Sequence, residues 1–471
     1  MESGENNNKL NCYNRMKKII EKAREAWMAS SGLRASRRRL KAFAFGRQWN
    51  DPVRTPDGRV VTELTRCMEE GRVPVTNNII RRMVKTIIGH YRHLSAADSG
   101  SEVTLTSFPE TDARALEELL ISGCAVQRVD PESKEIVNVS PERLIFRRFL
   151  LPDASDCTLI GMLHDLPLWE VLDRFAGGDL IKARGIRELY RHTGAGPQFA
   201  IGSAAEEVSF ATATLPDTVR VIEVWEHTVD ELVEVTEGET RRTVTGSEWD
   251  ALVRNSSRRR GKGRRPEPQG RRVSRHRWQG HWLTPEGIEI GSREAARHPF
   301  AVRFYPMIDG ELHSAVEDVI DQQKMVNRLV STLDHTIACA AKGVLLYPAD
   351  QLPDGISWQE LRRIWSNPQG ILPFRRSSKS VMPYQVHSGN VGAGATDLLK
   401  MQLDLFDRLS GATGALSGRS SAAKGEGMLR AEMEYSAISI LDLLNSFHTF
   451  IRERDRLAGN KKSETAKEEK I

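Results

Sequence analysis

The feature that most constrains the fold is a long stretch without glycine or proline, residues 311–342. Its apolar residues recur with a period close to 3.6, which predicts one amphipathic helix about 45 Å long. The first half of the stretch is acidic, with Glu317, Asp318 and Asp321, and its last turns are small and apolar. A long helix with one apolar stripe and one acidic, polar flank favours a repeated wall element of an assembly over an active site.

Length and composition predict a folded chain of two to four structural units. The 471 residues are 39% hydrophobic, which is ample for a sizeable core. No apolar run reaches the roughly 18 residues of a membrane span, and the polar N-terminus is unlike a secretory signal. Five scattered cysteines have no zinc-binding spacing, which indicates reduced thiols in a cytosolic setting.

Basic residues are concentrated in one segment. The net charge is +5, but eleven Lys or Arg residues and a single acid, Glu267, lie between Arg254 and Arg277. The remainder of the chain therefore carries a net charge of −5. Such a segment attracts nucleic acid or an acidic partner. A solvated loop rich in Arg, Gly and Pro is the alternative interpretation.

Helical periodicity is clearest towards the two ends of the chain. We expect helices at 14–29, 33–45, 247–260, 397–410 and 422–457, and another after Pro74 with Thr76 or Asn77 as its N-cap. In the first helix one face is apolar and is expected to be buried: Met16, Ile19, Ile20, Ala23 and Trp27.

Strands are expected mainly in the first two thirds of the chain, which makes the class α+β. Short strands are predicted at 103–107, 125–129, 135–139 and 143–149, followed by a turn, a strand and a helix over 151–175. Residues 218–235 are expected to form paired strands, and 273–290 a hairpin around Thr284–Gly287. The glycine-rich residues 388–396 are expected to form a flexible loop.

No motif specifies an enzyme or a cofactor. Gly389, Gly392 and Gly394 lack the spacing of a phosphate-binding loop. His90 and His93 lie three apart on a helix, but no third metal ligand lies at motif spacing. A metal-dependent nuclease using Glu317, Asp318 and Asp321 remains an alternative, although adjacent positions on a helix diverge by about 100°.

Several segments, in their order, resemble the portal proteins of tailed bacteriophages, particularly those of short-tailed phages. They include VPVTNNIIRRMVKTIIGHYR, LPDASDCTLIGMLHDLPLWEVLDRF, IEVWEHTVDELVEV, the stretch from HPFAVRFYP to GVLLYP, and SAAKGEGMLRAEMEYSAISILDLLNSF. The resemblance covers most of residues 14–457. The chain ends before the long helical barrel of some relatives, so no such barrel is expected.

The resemblance implies a subunit with a mixed α/β wing, long stem helices, a small clip and a C-terminal helical crown. The implied division is 1–240 for the wing, 241–310 for the first stem helix and the clip with the basic segment, 311–343 for the second stem helix, 344–396 for the wing return and tunnel loop, 397–457 for the wing helix and crown, and 458–471 for a disordered tail.

The resemblance also implies particular surfaces. The tunnel loop would comprise Ser388, Gly389, Asn390, Gly392 and Gly394, and the channel side of the stem would carry Glu317, Asp318 and Asp321. The clip would offer partners a set of basic residues: Arg258, Arg259, Arg260, Lys262, Arg264, Arg265, Arg271 and Arg272.

The function implied is a non-enzymatic ring of about twelve subunits at one capsid vertex of the virion, assembled in the bacterial cytoplasm. The expected partners are other copies of the chain, double-stranded DNA in the channel, the terminase large subunit, a head-completion or tail adaptor, and the major capsid and scaffolding proteins. The alternative is a nucleic-acid-binding module that acts through residues 254–277.

Overall fold

The computed structural model describes residues 2–98, 109–147, 149–191, 208–237, 240–258, 269–342, 344–348, 352–366, 373, 375, 382–386, 392–411 and 426–459. Within these ranges the predicted α+β class is confirmed. The chain divides into two compact units, the first formed by Met1–Lys41, Ile88–Ala315 and Ile440–Ile471, the second by Ala42–Ile87 and Val316–Ser439. No helix among the described residues is long and apolar enough to cross a lipid bilayer.

The helices are α1 (Glu2–Ala29), α2 (Ser31–Ala44), α3 (Glu63–Glu69), α4 (Ile79–Asp98), α5 (Glu110–Ser122), α6 (Leu168–Ala176), α7 (Leu180–Leu189), α8 (Gly246–Arg258), α9 (Ile320–Lys342), α10 (Trp358–Ser366), α11 (Gly392–Leu409) and α12 (Glu426–Ala458). A 3₁₀ turn, η1 (Glu317–Val319), precedes α9.

The strands are β1 (Pro52–Arg54), β2 (Val60–Thr62), β3 (Cys124–Val129), β4 (Ile136–Asn138), β5 (Leu144–Phe146), β6 (Leu159–Pro167), β7 (Thr218–Glu237), β8 (Thr240–Thr245), β9 (Gln269–Leu283), β10 (Glu289–Ala295), β11 (Phe300–Phe304), β12 (Met307–Ile308), β13 (Glu311–Leu312), β14 (Val344–Leu346) and β15 (Tyr384–Val386). The predicted strand at 103–107 lies outside the described residues.

The main sheet of the first unit is antiparallel and has the order β10-β9-β7-β6-β5, with β8 paired to the distal half of β7. The paired strands predicted over 218–235 are instead one strand of 20 residues that pairs with three neighbours. No Gly, Pro, Asn or Ser interrupts this stretch, and Asp230 is its only residue of a turn-favouring type, so the local signal for a turn is weak. The hairpin predicted around Thr284–Gly287 is confirmed as β9 and β10.

The core of the first unit lies on both faces of this sheet. Trp225 is fully buried on β7, edge-to-face with Trp282 of β9 at a ring separation of 6.0 Å. The predicted apolar face of α1 is buried against the opposite face of the sheet, where Ile222 and Val224 of β7 lie. A second sheet, β11-β3-β4, packs with α5.

Two buried arginines tie distant elements of the first unit together. Arg37 of α2 forms two 2.7 Å hydrogen bonds with the carboxylate of Glu118 on α5 and one of 2.6 Å with Glu142. Arg128 of β3 binds the fully buried carboxylate of Glu223 on β7 at 2.9 Å. Burying a charge is costly unless it is paired, so these contacts specify how the elements assemble.

The second unit is mainly helical. α11 packs along α9, and the chain between them forms the antiparallel pair β14–β15 and the helix α10. α9 also lies against the segment that leads into α4. Cys67, Cys124 and Cys157 are buried free thiols.

The single helix predicted over 311–342 was wrong in its first third. Glu311–Leu312 forms β13, which pairs with β12, and α9 begins only at Ile320. The hairpin turn is made by Asp309 and Gly310, both with positive φ (53° and 80°). Asp-Gly is a preferred two-residue hairpin turn, so the signal was present in the sequence.

Candidate assembly surfaces

Three buried polar side chains of α9, which we call the amide ladder, hold the segment 75–79 of the second unit. Gln323, Asn327 and Ser331 recur every four residues and therefore share one helix face. Their oxygens accept N–H groups from every second residue of the facing chain: Ile79 at 3.0 Å, Asn77 at 3.0 Å and Val75 at 2.9 Å. Four helical residues rise about 6 Å and two extended residues span about 6.6 Å, so the two repeats stay in step.

The amide ladder also caps α4. Gln323 accepts a second hydrogen bond, at 3.2 Å, from the N–H of Ile80, and Asn78 accepts one at 3.0 Å from Arg81. Asn78 is therefore the N-cap, and the prediction of Thr76 or Asn77 was wrong. The first four N–H groups of a helix have no partner within it. Here a side chain about 240 residues away supplies part of the cap, which local sequence patterns do not reveal.

Ion pairs flank the ladder. Lys324 binds Asp51 at 2.5 Å, and Arg328 binds the buried Glu63. The basic side chains in the first half of α9 are therefore occupied within the second unit. They position the helix and leave its acidic N-terminal end as the exposed charge.

The structure brings the three predicted channel-side acids together at that end. Glu317 and Asp318 lie in η1 and Asp321 lies in the first turn of α9, where Asp318 and Asp321 are exposed. Negative charge at a helix N-terminus is favourable because the helix dipole places a partial positive charge there. The favourable interaction with the helix dipole is enough to explain why acidic residues occur here. Their position on a channel wall stays a prediction.

A cleft of about 370 Å³ lies where α4, α9 and α11 meet. Its walls are apolar, with Val326 and Val330 of α9 facing Leu399, Leu403 and Phe406 of α11. An ion pair between Arg82 and Asp407, 2.6 Å long, lies at its side. The cleft is therefore mainly apolar and its two charged side chains pair with each other, which is the character of a packing site.

A second apolar stripe on α11, the outer stripe, is exposed. It consists of side chains between 36% and 52% exposed, at helical spacing: Leu398, Met401, Leu405 and Leu409. At 100° per residue these four positions fall within about 80° of arc. Charged residues of alternating sign cover another face: Asp397, Lys400, Asp404 and Arg408. An apolar stripe at this spacing is typical of a helix that packs against a further helix.

The predicted tunnel loop coincides only in part with described residues. Ser388, Gly389 and Asn390 lie outside them. Gly392 and Gly394 lie in the first turn of α11, so the helix predicted from residue 397 begins five residues earlier, and the loop assignment was wrong for these two glycines. Ala393 between them and Ala395 after them favour a helix, which offsets the low helix propensity of glycine.

The predicted basic surface is split by the fold. Arg258 ends α8, whereas Arg259, Arg260, Lys262, Arg264 and Arg265 lie outside the described residues. Arg271 and Arg272 belong to β9, where Arg271 lies directly opposite Glu234 of β7. Arg277 binds Asp230 at 2.8 Å and Glu294 at 2.7 Å. Residues 269–277 are thus a strand beside acids, which disfavours a mobile basic loop over these residues.

The candidate metal ligands do not form a cluster within the described residues. Among the residues that the structure describes, no three or more His, Cys, Asp or Glu side chains are placed to share a metal ion. For His90, partial burial and the nearby His93 lower its pKa. Glu317 and Asp318 lie in η1, just before α9, and Asp321 lies in its first turn; the three acids do not form such a group.

A large antiparallel sheet and a helical unit with an exposed apolar stripe are features of a structural protein that assembles with others. A family model described as phage P22-like portal protein matches residues 106–439, and the chain belongs to that family. The family is structural and non-enzymatic, and its members are components of the phage capsid. The mixed α+β portal fold is confirmed. No curated protein matches the chain.

Proposed function

We propose that this protein forms a ring of about twelve copies at one capsid vertex, through which double-stranded DNA enters during packaging and leaves during ejection. The observation that carries the proposal is the outer stripe of α11. Four apolar side chains at helical spacing are exposed to solvent in the single chain, and a neighbouring subunit would bury them in a head-to-tail ring.

The second unit supports a division different from that predicted by sequence. We assign the two stem helices to α9 and α11, which pack together, and the clip to residues 344–386 between them. Within 241–310, the 13-residue helix α8 packs through Trp249 and Leu252 on its own sheet, which suits a wing better than a stem. This new division retains the four parts that the resemblance implied, namely a mixed α/β wing, a stem, a clip and a helical crown.

A DNA channel works best when its wall binds DNA weakly. Each phosphate that a protein neutralises adds affinity that depends on salt. The exposed face of α11 alternates Asp397, Lys400, Asp404 and Arg408, and the N-terminal end of α9 is acidic. A stem with these charges would let DNA slide, while the clip docks the terminase large subunit and then a tail adaptor.

The ring is tested by native mass spectrometry and negative-stain imaging of the full chain. Twelve copies of 52.9 kDa give a particle of about 0.63 MDa with a central hole. Exchanging Met401→Gln together with Leu405→Gln should reduce assembly, because it makes the outer stripe polar. Lys400→Gln with Asp404→Asn is the matched control on the same helix and should assemble normally.

Two outcomes would contradict the proposal at different levels. Normal rings from the Met401→Gln/Leu405→Gln protein would exclude the outer stripe as the interface. A wild-type chain that remains monomeric even when it is co-expressed with capsid and scaffolding proteins would exclude the ring itself.

The tunnel role of residues 388–391 belongs to the division predicted from the sequence. It is tested separately, because the division proposed above places these residues between the clip and α11. Deleting residues 388–391 spares α11 and is expected to leave assembly intact while lowering DNA packaging or retention. A normal infectious yield from this deletion would exclude a tunnel role for these residues.

A further inference from the structure

The outer edge of β9 is open over about 30 Å. β9 pairs with β7 along its whole length, from Gln269 to Leu283, but with β10 only from Trp278 onwards. Over 269–277 no strand among the described residues pairs with its other edge, and residues 270–276 are all exposed. Nine residues at about 3.3 Å each give this length. An unpaired edge presents backbone N–H and C=O groups as a template for another strand.

The open edge carries positive charges that have no partner among the described residues. Arg271, Arg272 and Arg275 are exposed, and no hydrogen bond or ion pair within the described residues engages their guanidinium groups. Arg277, at the end of the open stretch, is instead held by Asp230 and Glu294. Asp230, the residue opposite Arg275, is thereby occupied by another arginine.

One face of the open edge has a definite pattern. Side chains alternate between the two faces of a strand, so Arg271, Val273 and Arg275 point to the same side. Val273 is 38% exposed between the two arginines. A complementary strand would therefore place an acid, an apolar residue and a second acid at alternate positions.

The protein already contains this complement on the paired edge of β9. Glu234 lies opposite Arg271, Leu232 opposite Val273 and Asp230 opposite Arg275. β7 thus shows the acid–apolar–acid pattern that fits this face. The same face can receive a similar strand on its open side, because Arg271 and Arg275 belong to β9, which would lie between β7 and the added strand.

We propose that the open edge of β9 binds an acidic segment of a partner protein, which adds to the sheet as a further strand. Backbone hydrogen bonds would supply affinity, and carboxylates at the first and fifth positions would pair with the two arginines around an apolar third position. This surface lies in the first unit, and the proposal does not depend on ring formation.

The probe is a fluorescent peptide with the sequence of residues 228–236, TVDELVEVT, titrated into the purified full-length protein. We expect saturable binding with a dissociation constant below about 1 mM. Replacing its three acids by amides (TVNQLVQVT) should weaken binding at least about fivefold, the loss expected for two exposed ion pairs. Replacing its central Leu by Pro should abolish binding, because Pro removes a ladder N–H and does not fit a paired strand.

Protein variants locate the site. Arg271→Gln with Arg275→Gln should weaken peptide binding at least about fivefold. Arg184→Gln with Arg187→Gln removes the same charge from exposed positions on α7 and should leave binding within about twofold. The thermal unfolding midpoints of both variants establish that they fold.

Three results would overturn the proposal. No saturable binding by the wild type would mean that the arginines only protect the edge from pairing. Equal binding of the Pro peptide would mean charge attraction without strand addition. Binding of a DNA duplex that is lost in Arg271→Gln/Arg275→Gln, without peptide binding, would make this surface a nucleic-acid site.

Discussion

Gln323 donates its side-chain amide to the backbone carbonyl of Asn77 at 2.7 Å, across 246 residues of sequence. The oxygen of the same amide accepts the N–H groups of Ile79 and Ile80. One fully buried side chain therefore fixes the approach to α4 and its first turn. Within the second unit this contact sets the position of α9 relative to the start of α4.

Replacing Gln323 should destabilise the second unit strongly. Gln323→Leu keeps the size of the side chain but leaves the buried N–H of Ile80 without its partner. It also removes the hydrogen bonds of Gln323 with Ile79 and Asn77, and the total cost is about 2–4 kcal/mol. Urea unfolding followed by tryptophan fluorescence measures the loss. Gln322→Leu on the neighbouring face is the control and should change stability by less than about 1 kcal/mol; similar losses from both would exclude the capping role.

Val326 should not tolerate a charge. It is 2% exposed and lines the cleft beside α11, so Val326→Asp buries an unpaired carboxylate among apolar side chains. We expect the soluble yield and the yield of rings to fall sharply. Met325→Asp places the same charge one residue earlier, at a position 39% exposed, and should give soluble protein. A folded Val326→Asp ring would contradict the packing of α9 on α11.

Glu223 should make the first unit sensitive to acid. Burial alone raises the pKa of this carboxyl group, but His164, Arg128 and the indole of Trp225 outweigh burial and lower the pKa from 4.5 to about 2. A lowered pKa stabilises the fold above the unfolded value, and this stability is lost as the pH falls from about 5 to about 2. The shift corresponds to about 3 kcal/mol.

Glu223→Gln is expected to lower stability at pH 7 and to flatten its dependence on pH below 5. Thermal unfolding between pH 3 and pH 7 measures both effects. Glu231→Gln removes a carboxylate from an exposed position of the same strand and should retain the wild-type profile. An unchanged profile in Glu223→Gln would exclude this carboxylate as the source of acid sensitivity.

One substitution should have opposite effects at two glycines. A Cβ atom on Gly161 of β6 would lie 2.0 Å from the carbonyl oxygen of Glu223 on β7, so Gly161→Ala should separate the strands and prevent folding. A Cβ atom on Gly89, within α4, meets nothing within 4 Å. Gly89→Ala should raise stability by about 0.5–1 kcal/mol. Soluble Gly161→Ala protein with a normal unfolding midpoint would refute the close approach.

Much of the local structure followed from the sequence. The buried face of α1, the strands β3 to β6 and the turn between β9 and β10 were predicted from apolar periodicity and turn residues. These patterns act over a few residues, so they are independent of the remainder of the chain. The Asp309-Gly310 turn was equally local. The hairpin was missed because the apolar spacing of residues 312–320 also fits a helix.

The candidate surfaces depended on longer-range relationships. The open edge of β9 is visible only once β10 is known to pair with part of it. Likewise, the two apolar stripes of α11 look alike in sequence, and packing against α9 and α4 decides which one is covered.

The sequence by itself determined the α+β class, most element types and the likeness to phage portal proteins, because local periodicity and motif order are written along the chain. Tertiary structure decided whether the polar side of α9 is buried or exposed to solvent. Gln323, Asn327 and Ser331 have the residue types of a solvated face, yet they are buried. Only the fold brings them to the backbone N–H groups of Val75, Asn77 and Ile79, about 250 residues away.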